Sequence, residues 1–447
     1  MRGEKEIYAC VECGYQSAKW FGRCPQCSMW DTLKKAVVPI KSEDNRRARK
    51  RQLSITNIND VKTTYKNRLS TKSSEFDRVL GGGIVRGEVI LIGGEPGIGK
   101  TTLLLQLLHR VHSRNKKCLY ISAEESIEQI SLHAKRLDIE TNMPVSSEND
   151  IDTIITSLEK EKPALVVLDS IQTVKTEDMR GLPGGIGQVK ECTSRMVGYA
   201  KRTGSAVILV GHITKGGDIA GPKVLEHIVD AVLYIEGDTT THIRLIRGVK
   251  NRFGSTREVG VFSFSSKGFR DASNPSEVFI RSDKPRIGVC KSALFEGKRV
   301  ILVEIQALSS KSGFSLPQRV VSGIKKSKIQ MICALLSKYT KVRLGEMDVY
   351  VNVANGIKVD DSSMDLAICI ALASSYQNYK ISPSKIAIGE VSLTGEIYET
   401  AHLQAKLNEL IRLGYNDIII PKRSQKISKG KTLSYIDSVS SLGTIFK

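Results

Sequence analysis

The stretch GEVILIGGEPGIGKTTLLLQLL, residues 87–108, decides the fold class. A short apolar strand runs into a glycine-rich loop, and that loop opens a helix with apolar spacing. Gly94, Gly99, Lys100 and Thr101 fit the pattern G-x-x-x-x-G-K-[ST] in its strand-to-helix setting. Glycines let backbone N–H groups close around a β-phosphate, the lysine reaches the β- and γ-phosphates, and the threonine hydroxyl ligates Mg²⁺. A cradle for ATP and Mg²⁺ is therefore expected over Gly94, Glu95, Pro96, Gly97, Ile98, Gly99, Lys100, Thr101 and Thr102.

Outward from this loop, strand–loop–helix alternation runs from about 66 to 272, the pattern of an α/β sheet. Ligands of such sheets sit at the C-terminal edge of the strands. ALVVLDS (164–170) ends in Asp169, placed to orient the Mg²⁺ shell. CLYISAEES (118–126) delivers Glu124 and Glu125; Glu124 is expected to polarise the attacking water, and Glu125 is equally read as a charge at a helix start. AVILVGHIT (206–214) brings His212 to the same edge, as a γ-phosphate sensor or a locally bonded strand end.

The chain has 447 residues, room for two or three domains, and a formal charge of +20. That excess suits a polyanionic partner and is also compatible with a solubilising surface. The N-terminus lacks an apolar signal region, and runs such as LAICIALA (366–373) fall well short of the roughly 18 residues of a membrane span. A cytoplasmic protein with no membrane partner is expected. Cys118, Cys192, Cys290, Cys333 and Cys369 are scattered in apolar contexts and read as reduced packing residues.

CVECGYQSAKWFGRCPQC (10–27) sets Cys10 and Cys13 two residues apart, and Cys24 and Cys27 likewise. Four thiolates in two knuckles favour a closed structural Zn²⁺ site over a redox pair or disulfides. Lys19, Trp20, Phe21 and Arg23 between the pairs either contact a partner or pack the module. The expected organisation is a zinc finger over 1–33, a basic linker over 34–65, a P-loop domain over 66–275 and a C-terminal domain over 286–447. KSEDNRRARKRQ (41–52) marks the linker, and DASNPSEVFIRSDKPRIG (271–288) marks the second boundary.

The implied order of nucleotide, Glu, Asp and His strands resembles the RecA-like ATPase core, in which neighbouring subunits complete each active site. RLIRGVKNRFGS (244–255) then gains a purpose: Lys250 and Arg252 could stabilise γ-phosphate charge in trans. A basic turn closed by Gly254 is the plainer reading. KNRFGS, the four-cysteine module and GGEPGIGKTTL together resemble the bacterial RadA (Sms) family of DNA repair proteins over essentially the whole chain.

That resemblance implies a DNA-stimulated ATPase, a homohexameric ring helicase that drives branch migration and processes recombination intermediates with the RecA recombinase. It implies a functional role for Lys250, Asn251, Arg252, Phe253 and Gly254. It also implies that single-stranded and branched DNA passes mobile loops at the ring centre. TEDMRGLPGGIGQVK (176–190) and TKGGDIAGPK (214–223) offer Arg180, Lys190, Lys215 and Lys223, joined by Lys250 and Arg252 as DNA contacts. Both stretches also read as ordinary solvent loops.

VDDSSMDLAICIALASSY (359–376) and IAIGEVSLTGEIYETAHLQAKLNELIRLGY (386–415) resemble the Lon-type protease domain, an α+β fold whose serine and lysine form a hydrolytic pair. Ser363 and Lys406 fall on those two positions, and this leaves an ATP-dependent serine-lysine protease as the alternative function. The surrounding residues depart from the protease pattern, and Asp365 beside the serine is expected to raise the lysine's pKa and keep it a poor base. The basic runs SGIKKSKIQ (322–330), SKYTKVR (337–343) and PKRSQKISKGK (421–431) would suit duplex DNA or a solvated face.

Overall fold

The computed structural model describes residues 4–10, 15–26, 28–39, 57, 68–140, 142–179, 183–212, 222–237, 242–256, 258–272, 274, 279–280, 283–296, 299–313, 316–354, 359, 361–426 and 433–445. The chain divides into two compact units: 1–236 with 246–256 and 265–269, and 237–245 with 257–264 and 270–447.

The first unit opens with a small antiparallel sheet of β1 (Glu4–Cys10), β2 (Gln16–Ser17) and β3 (Leu33–Pro39), ordered β2-β1-β3. After α1 (Ser74–Val79) come β4 (Val89–Gly94), α2 (Lys100–His112), β5 (Cys118–Ser122), α3 (Ile127–Arg136) and β6 (Val145–Ser147). The alternation continues through α4 (Ile151–Glu161), β7 (Leu165–Asp169), α5 (Ile186–Thr203), β8 (Ala206–His212), α6 (Pro222–Leu225) and β9 (Ala231–Glu236). The strands lie in the order β9-β4-β8-β7-β5-β6 and run parallel, with β10 (Ile243–Asn251) beside β9.

Strands covered on both faces need apolar residues along their length, and VILIGG and LVVLD are buried throughout, the second apolar up to the Asp169 that ends it. Val89 and Leu91 face the helices α4 and α5, whose Ile154, Leu158, Met196 and Tyr199 share their core. Ile90 and Ile92, one residue out of phase, turn the other way, and α2 touches the strands β4, β5 and β7. Helix starts are written locally: Ser126 and Gln129 form a capping box on α3, and Asp150 caps α4.

β11 (Val259–Ser265) and β12 (Gly268–Asp271) follow in the chain. The alternating pattern runs on to 272, yet 237–245 and 257–264 group with the second unit. The physical cause is packing: Ile243, Leu245, Val259 and Val261 share a core with Ile329, Ile332 and Leu336.

The second unit is α+β, with β13 (Arg286–Ile287), β14 (Val289–Glu296), β15 (Arg299–Lys311), β16 (Arg319–Ser322), α7 (Lys326–Tyr339) and β17 (Met347–Val353). Then come α8 (Asp365–Gln377), β18 (Lys380–Ile381), β19 (Lys385–Ala387), β20 (Glu390–Val391), β21 (Ile397–Tyr398), α9 (Leu403–Arg412), β22 (Asp417–Pro421) and β23 (Leu433–Ile436). Its main sheet is ordered β16-β17-β15-β14-β19-β22-β23. LAICIALA falls in α8, a helix buried from Asp365 to Ser374 because it runs through a core and not past a surface. Among the described residues no helix is long and apolar enough to cross a membrane. Cys118, Cys192, Cys290, Cys333 and Cys369 are all buried and free, and burial pushes the Cys118 thiol up to about 12.

Candidate functional site

The loop after β4 ends at Gly99, which holds φ +106° as the cap of α2, and Gly97 sits at φ +76°. A side chain would strain both positions, which is the reason for glycine there. No side chain caps α2, and its first turn carries no acidic residue. Its free N–H groups are thus left for an external anion. Lys100 Nζ donates to the carbonyl oxygens of Gly94 (2.9 Å) and Glu95 (3.1 Å). Burial pulls its pKa below the usual lysine value, while the charges of Asp169 and Glu124 pull it back up.

Strand register brings the carboxylates to this loop. Ser122 pairs with Asp169 across β5 and β7, and Gly94 pairs with His212 across β4 and β8, so these strands finish together. Asp169 Oδ2 accepts from Thr101 Oγ1 at 3.0 Å and from Tyr120 Oη at 2.6 Å. Burial and the Asp169 charge push the Tyr120 phenol well above its ordinary pKa, so it stays a donor. The Thr101–Asp169 oxygen pair fits a hard cation such as Mg²⁺. Glu124 Oε1 accepts from Ser170 Oγ at 2.5 Å. Ser122 Oγ accepts from the backbone N–H of Glu124 (3.3 Å) and Glu125 (2.7 Å), fixing the turn that presents both. The Glu125 carboxylate is 3.5 Å from His133.

Lys100, Thr101, Asp169 and Glu124 are therefore one constellation. Tyr120, Ser122 and Ser170 hold it in place and were missed in the sequence. The available signal was Tyr120: a phenol inside a buried strand needs a partner, and Asp169 ends the neighbouring strand.

The KNRFG box lies elsewhere. Lys250 Nζ donates to the carbonyl oxygens of Glu226 (2.6 Å) and Val229 (2.8 Å), just ahead of β9. Burial, then the nearby Arg252 charge, lowers the Lys250 pKa. Arg252 Nη1 is 3.3 Å from Asp230 Oδ1, while Asp230 Oδ2 accepts from the Val89 N–H at the start of β4. Asn251 accepts from the Phe253 N–H and donates to the Val79 carbonyl; Arg68 donates to the Phe253 carbonyl; Gly254 lies against Leu80. The box thus sits at the entry edge of the sheet and the P-loop at the exit edge. The five residue steps of β4 between them span roughly 16 Å.

Of the proposed DNA contacts, Lys190 is exposed on α5. Arg180, Lys215 and the side chains of Lys223 and His212 lie outside the described residues.

Three family models match the chain: the KaiC ATPase over residues 69–152, the rubredoxin metal-binding domain over 8–35, and subunit ChlI of Mg-chelatase over 303–424. The DNA repair protein RadA of Bacillus subtilis is 42% identical, covering 94% of this chain and 93% of its own length. RadA of Halalkalibacterium halodurans is 41% identical over 95% of this chain and 94% of its own, and RadA of Rickettsia bellii 41% over 99% and 98%. The chain belongs to the RadA family of DNA repair proteins. In this RadA-family chain a zinc ribbon precedes a RecA-like ATPase unit and a Lon-like C-terminal unit, and the activity is that of a DNA repair ATPase.

The ribbon of the RadA-family chain fits zinc. Cys10 and Cys24, one from each pair, are buried in one cluster with Leu33. The Cys10 N–H donates to the Tyr15 carbonyl (2.8 Å) and the Cys24 N–H to the Met29 carbonyl (2.9 Å), so both cysteines open turns of the same span. Soft thiolates at matched turns are the donor set Zn²⁺ takes. Cys13 and Cys27 lie outside the described residues.

In the Lon-like unit Ser363 and Lys406 are both buried. The Ser363 hydroxyl donates to the Ala293 carbonyl at 3.3 Å, and its N–H donates to Asp361 Oδ1 at 2.8 Å. The expectation for Asp365 is corrected: its carboxylate pairs with Lys328 at 3.0 Å, and Asp361, 3.6 Å away, is the acid that faces Lys406. The direction is corrected too, because burial lowers the Lys406 pKa against the opposing pull of Asp361. Lys328, from the first basic run, is thereby tied to Asp365.

Proposed function

We propose that this RadA-family chain is an ATP-driven motor on DNA. It acts as a homohexameric ring helicase on single-stranded and branched DNA, drives branch migration and processes recombination intermediates alongside the RecA recombinase. The observation that carries the reading is the separation of the two cationic groups. Lys100 lies at the exit edge of the sheet, and Lys250 with Arg252 lies at the entry edge, roughly 16 Å away. A box that far from its own P-loop serves a nucleotide held by a neighbour.

In this mechanism the backbone N–H groups of the 94–102 loop other than Pro96, together with Lys100, hold the β- and γ-phosphates. Thr101 and Asp169 would hold Mg²⁺, which would supply positive charge against the phosphates. Glu124, oriented by Ser170, takes the proton of the attacking water, and the neighbour's Lys250 and Arg252 balance charge on the γ-phosphate. Arg180, Lys190, Lys215 and Lys223 track DNA phosphates without reading bases, and Lys250 and Arg252 are shared with that role.

Strand displacement on a forked substrate tests the reading. Displacement should need ATP, and Lys100→Ala should abolish both hydrolysis and displacement while DNA binding survives. Undiminished turnover in Lys100→Ala would sink the phosphate site. ATP-dependent DNA binding without displacement would make the chain a switch and not a motor.

A further inference from the structure

Four neighbouring strands, in the order β4-β8-β7-β5, run parallel, so all enter at one edge and leave at the other. The segments leading in are basic: VRGE (85–88), NKK (115–117), KEKP (160–163) and KRTGS (201–205). Arg86, Lys116, Lys117, Lys162, Lys201 and Arg202 are exposed there, and all but Lys201 border a cleft of about 1050 Å³. With about 4.8 Å between strands the row is roughly 14 Å long. Lys117 pairs with Glu161 and Arg202 with Glu159; among the described residues the other four cations have no acidic partner.

Among the described residues the exit edge is richer in acids, although Lys100, Lys175 and Lys190 also lie there. Glu95 follows β4, Glu124, Glu125 and Glu128 follow β5, Glu148 follows β6, and Glu177 follows β7. Among the described residues Glu95, Glu128, Glu148 and Glu177 have no basic partner. A bound triphosphate adds to this negative charge.

Helix dipoles offer a plainer account, since they favour acids at helix starts and bases at helix ends. That effect fades beyond the terminal turn. Arg86, Lys116 and Lys117 lie outside any helix, as do Glu95, Glu124, Glu125, Glu148 and Glu177. The first turns of α2 and α5 hold no acid at all. Glu128, Lys162, Lys201 and Arg202 do sit at helix ends, so helix dipoles account for part of the polarity and the sheet edges for the rest; the basic edge also carries the KNRFG box.

We propose that the two edges are complementary docking faces between successive copies of this chain. The basic entry edge of one copy meets the acidic exit edge of the next. The charges fix a head-to-tail direction, the kind of contact that closes into a ring, and they make head-to-head pairing repulsive. This deepens the ring reading by naming the surface that orients the neighbour's box.

Charge swapping tests it. Lys116→Glu with Lys162→Glu reverses part of the entry edge, and Glu128→Lys with Glu177→Lys reverses part of the exit edge. Sedimentation velocity with ATP and no DNA should show each variant needing about tenfold or more protein to assemble, since like charges across an interface cost several kcal/mol. An equimolar mixture should assemble at close to the wild-type concentration, because every interface in an alternating ring regains opposite charges. The neutral Lys116→Gln/Lys162→Gln chain should fall between, and unchanged thermal unfolding of each variant shows that it folds. A wild-type chain that stays monomeric defeats the ring itself. Reversed variants that assemble as well as wild type, or a mixture that does not recover, overturn the edge pairing alone. Normal assembly with weakened forked-DNA binding would make the entry edge a nucleic-acid face instead.

Discussion

Asp169 takes two hydrogen bonds on one oxygen, from Thr101 and from Tyr120, and the second comes from a phenol with no exposure to solvent. A bond from a neutral donor to a charged acceptor is worth about 1.5–3 kcal/mol. Tyr120→Phe keeps the ring and its packing, so the loss should fall on the carboxylate and not on the fold. The Mg²⁺ concentration for half-maximal ATP hydrolysis should rise about tenfold. An unchanged Mg²⁺ dependence would mean that Asp169 needs no such support. Glu88 offers a second test at this scale. It is fully buried, its Oε1 has no partner, and burial raises its pKa from 4.5 to about 7. The folded chain therefore keeps a proton that the unfolded chain releases as pH climbs from about 4.5 to about 7. Its stability is full below that window and is lost through it, by roughly 3 kcal/mol. Glu88→Gln keeps an acceptor for the Val85 N–H and has no proton to lose. Its thermal unfolding midpoint should match wild type near pH 4.5 and exceed it at pH 8; equal midpoints at both would remove Glu88 as the titrating group.

β10, the strand that carries Lys250, separates two accounts of one element. If the box is only a local clamp, Lys250→Ala frees the Glu226 and Val229 carbonyls and loosens the approach to β9. If it also serves a neighbour, the substitution cuts hydrolysis in every ring containing it. Mixing Lys250→Ala with wild-type subunits should then depress activity well below the proportional line; a linear decline supports the clamp alone. Elements of this kind show how far the sequence could be read. β4, β5 and β7 were legible because strands covered on both faces are mostly apolar until the polar residues at their ends, and the P-loop because φ +76° and +106° favour glycine. Glu124 and Asp169 were legible as strand ends. The braces Tyr120, Ser122 and Ser170 were not, since their partners depend on which strands lie side by side, and order in space is not order in the chain. The grouping of 237–245 and 257–264 with the second unit was hidden for the same reason: Ile243 and Val261 fit either core by pattern, and packing alone decides.

For the whole molecule the question is whether an ATPase unit feeds a proteolytic one. Lys406 has the depressed pKa a general base needs, and it is buried as a catalytic lysine would be. Its surroundings point the other way. Asp361 faces its ammonium at 3.6 Å and favours the charged form, which cannot accept a proton. The Ser363 hydroxyl is fully buried and spends its proton on the Ala293 carbonyl, so neither substrate nor lysine is its partner. Asp365, once the candidate for disabling the lysine, is occupied by Lys328 on α7 and braces the start of α8. Each group of the former pair is thus absorbed into the packing of its own unit. Casein incubated with the chain and ATP should therefore stay intact, and Ser363→Ala should leave ATP hydrolysis and forked-DNA displacement as they were. Digestion that survives Ser363→Ala points to a contaminating protease. Digestion by wild type that vanishes in both Ser363→Ala and Lys406→Ala, with ATP hydrolysis retained, would show that the dyad still works and that the motor serves proteolysis.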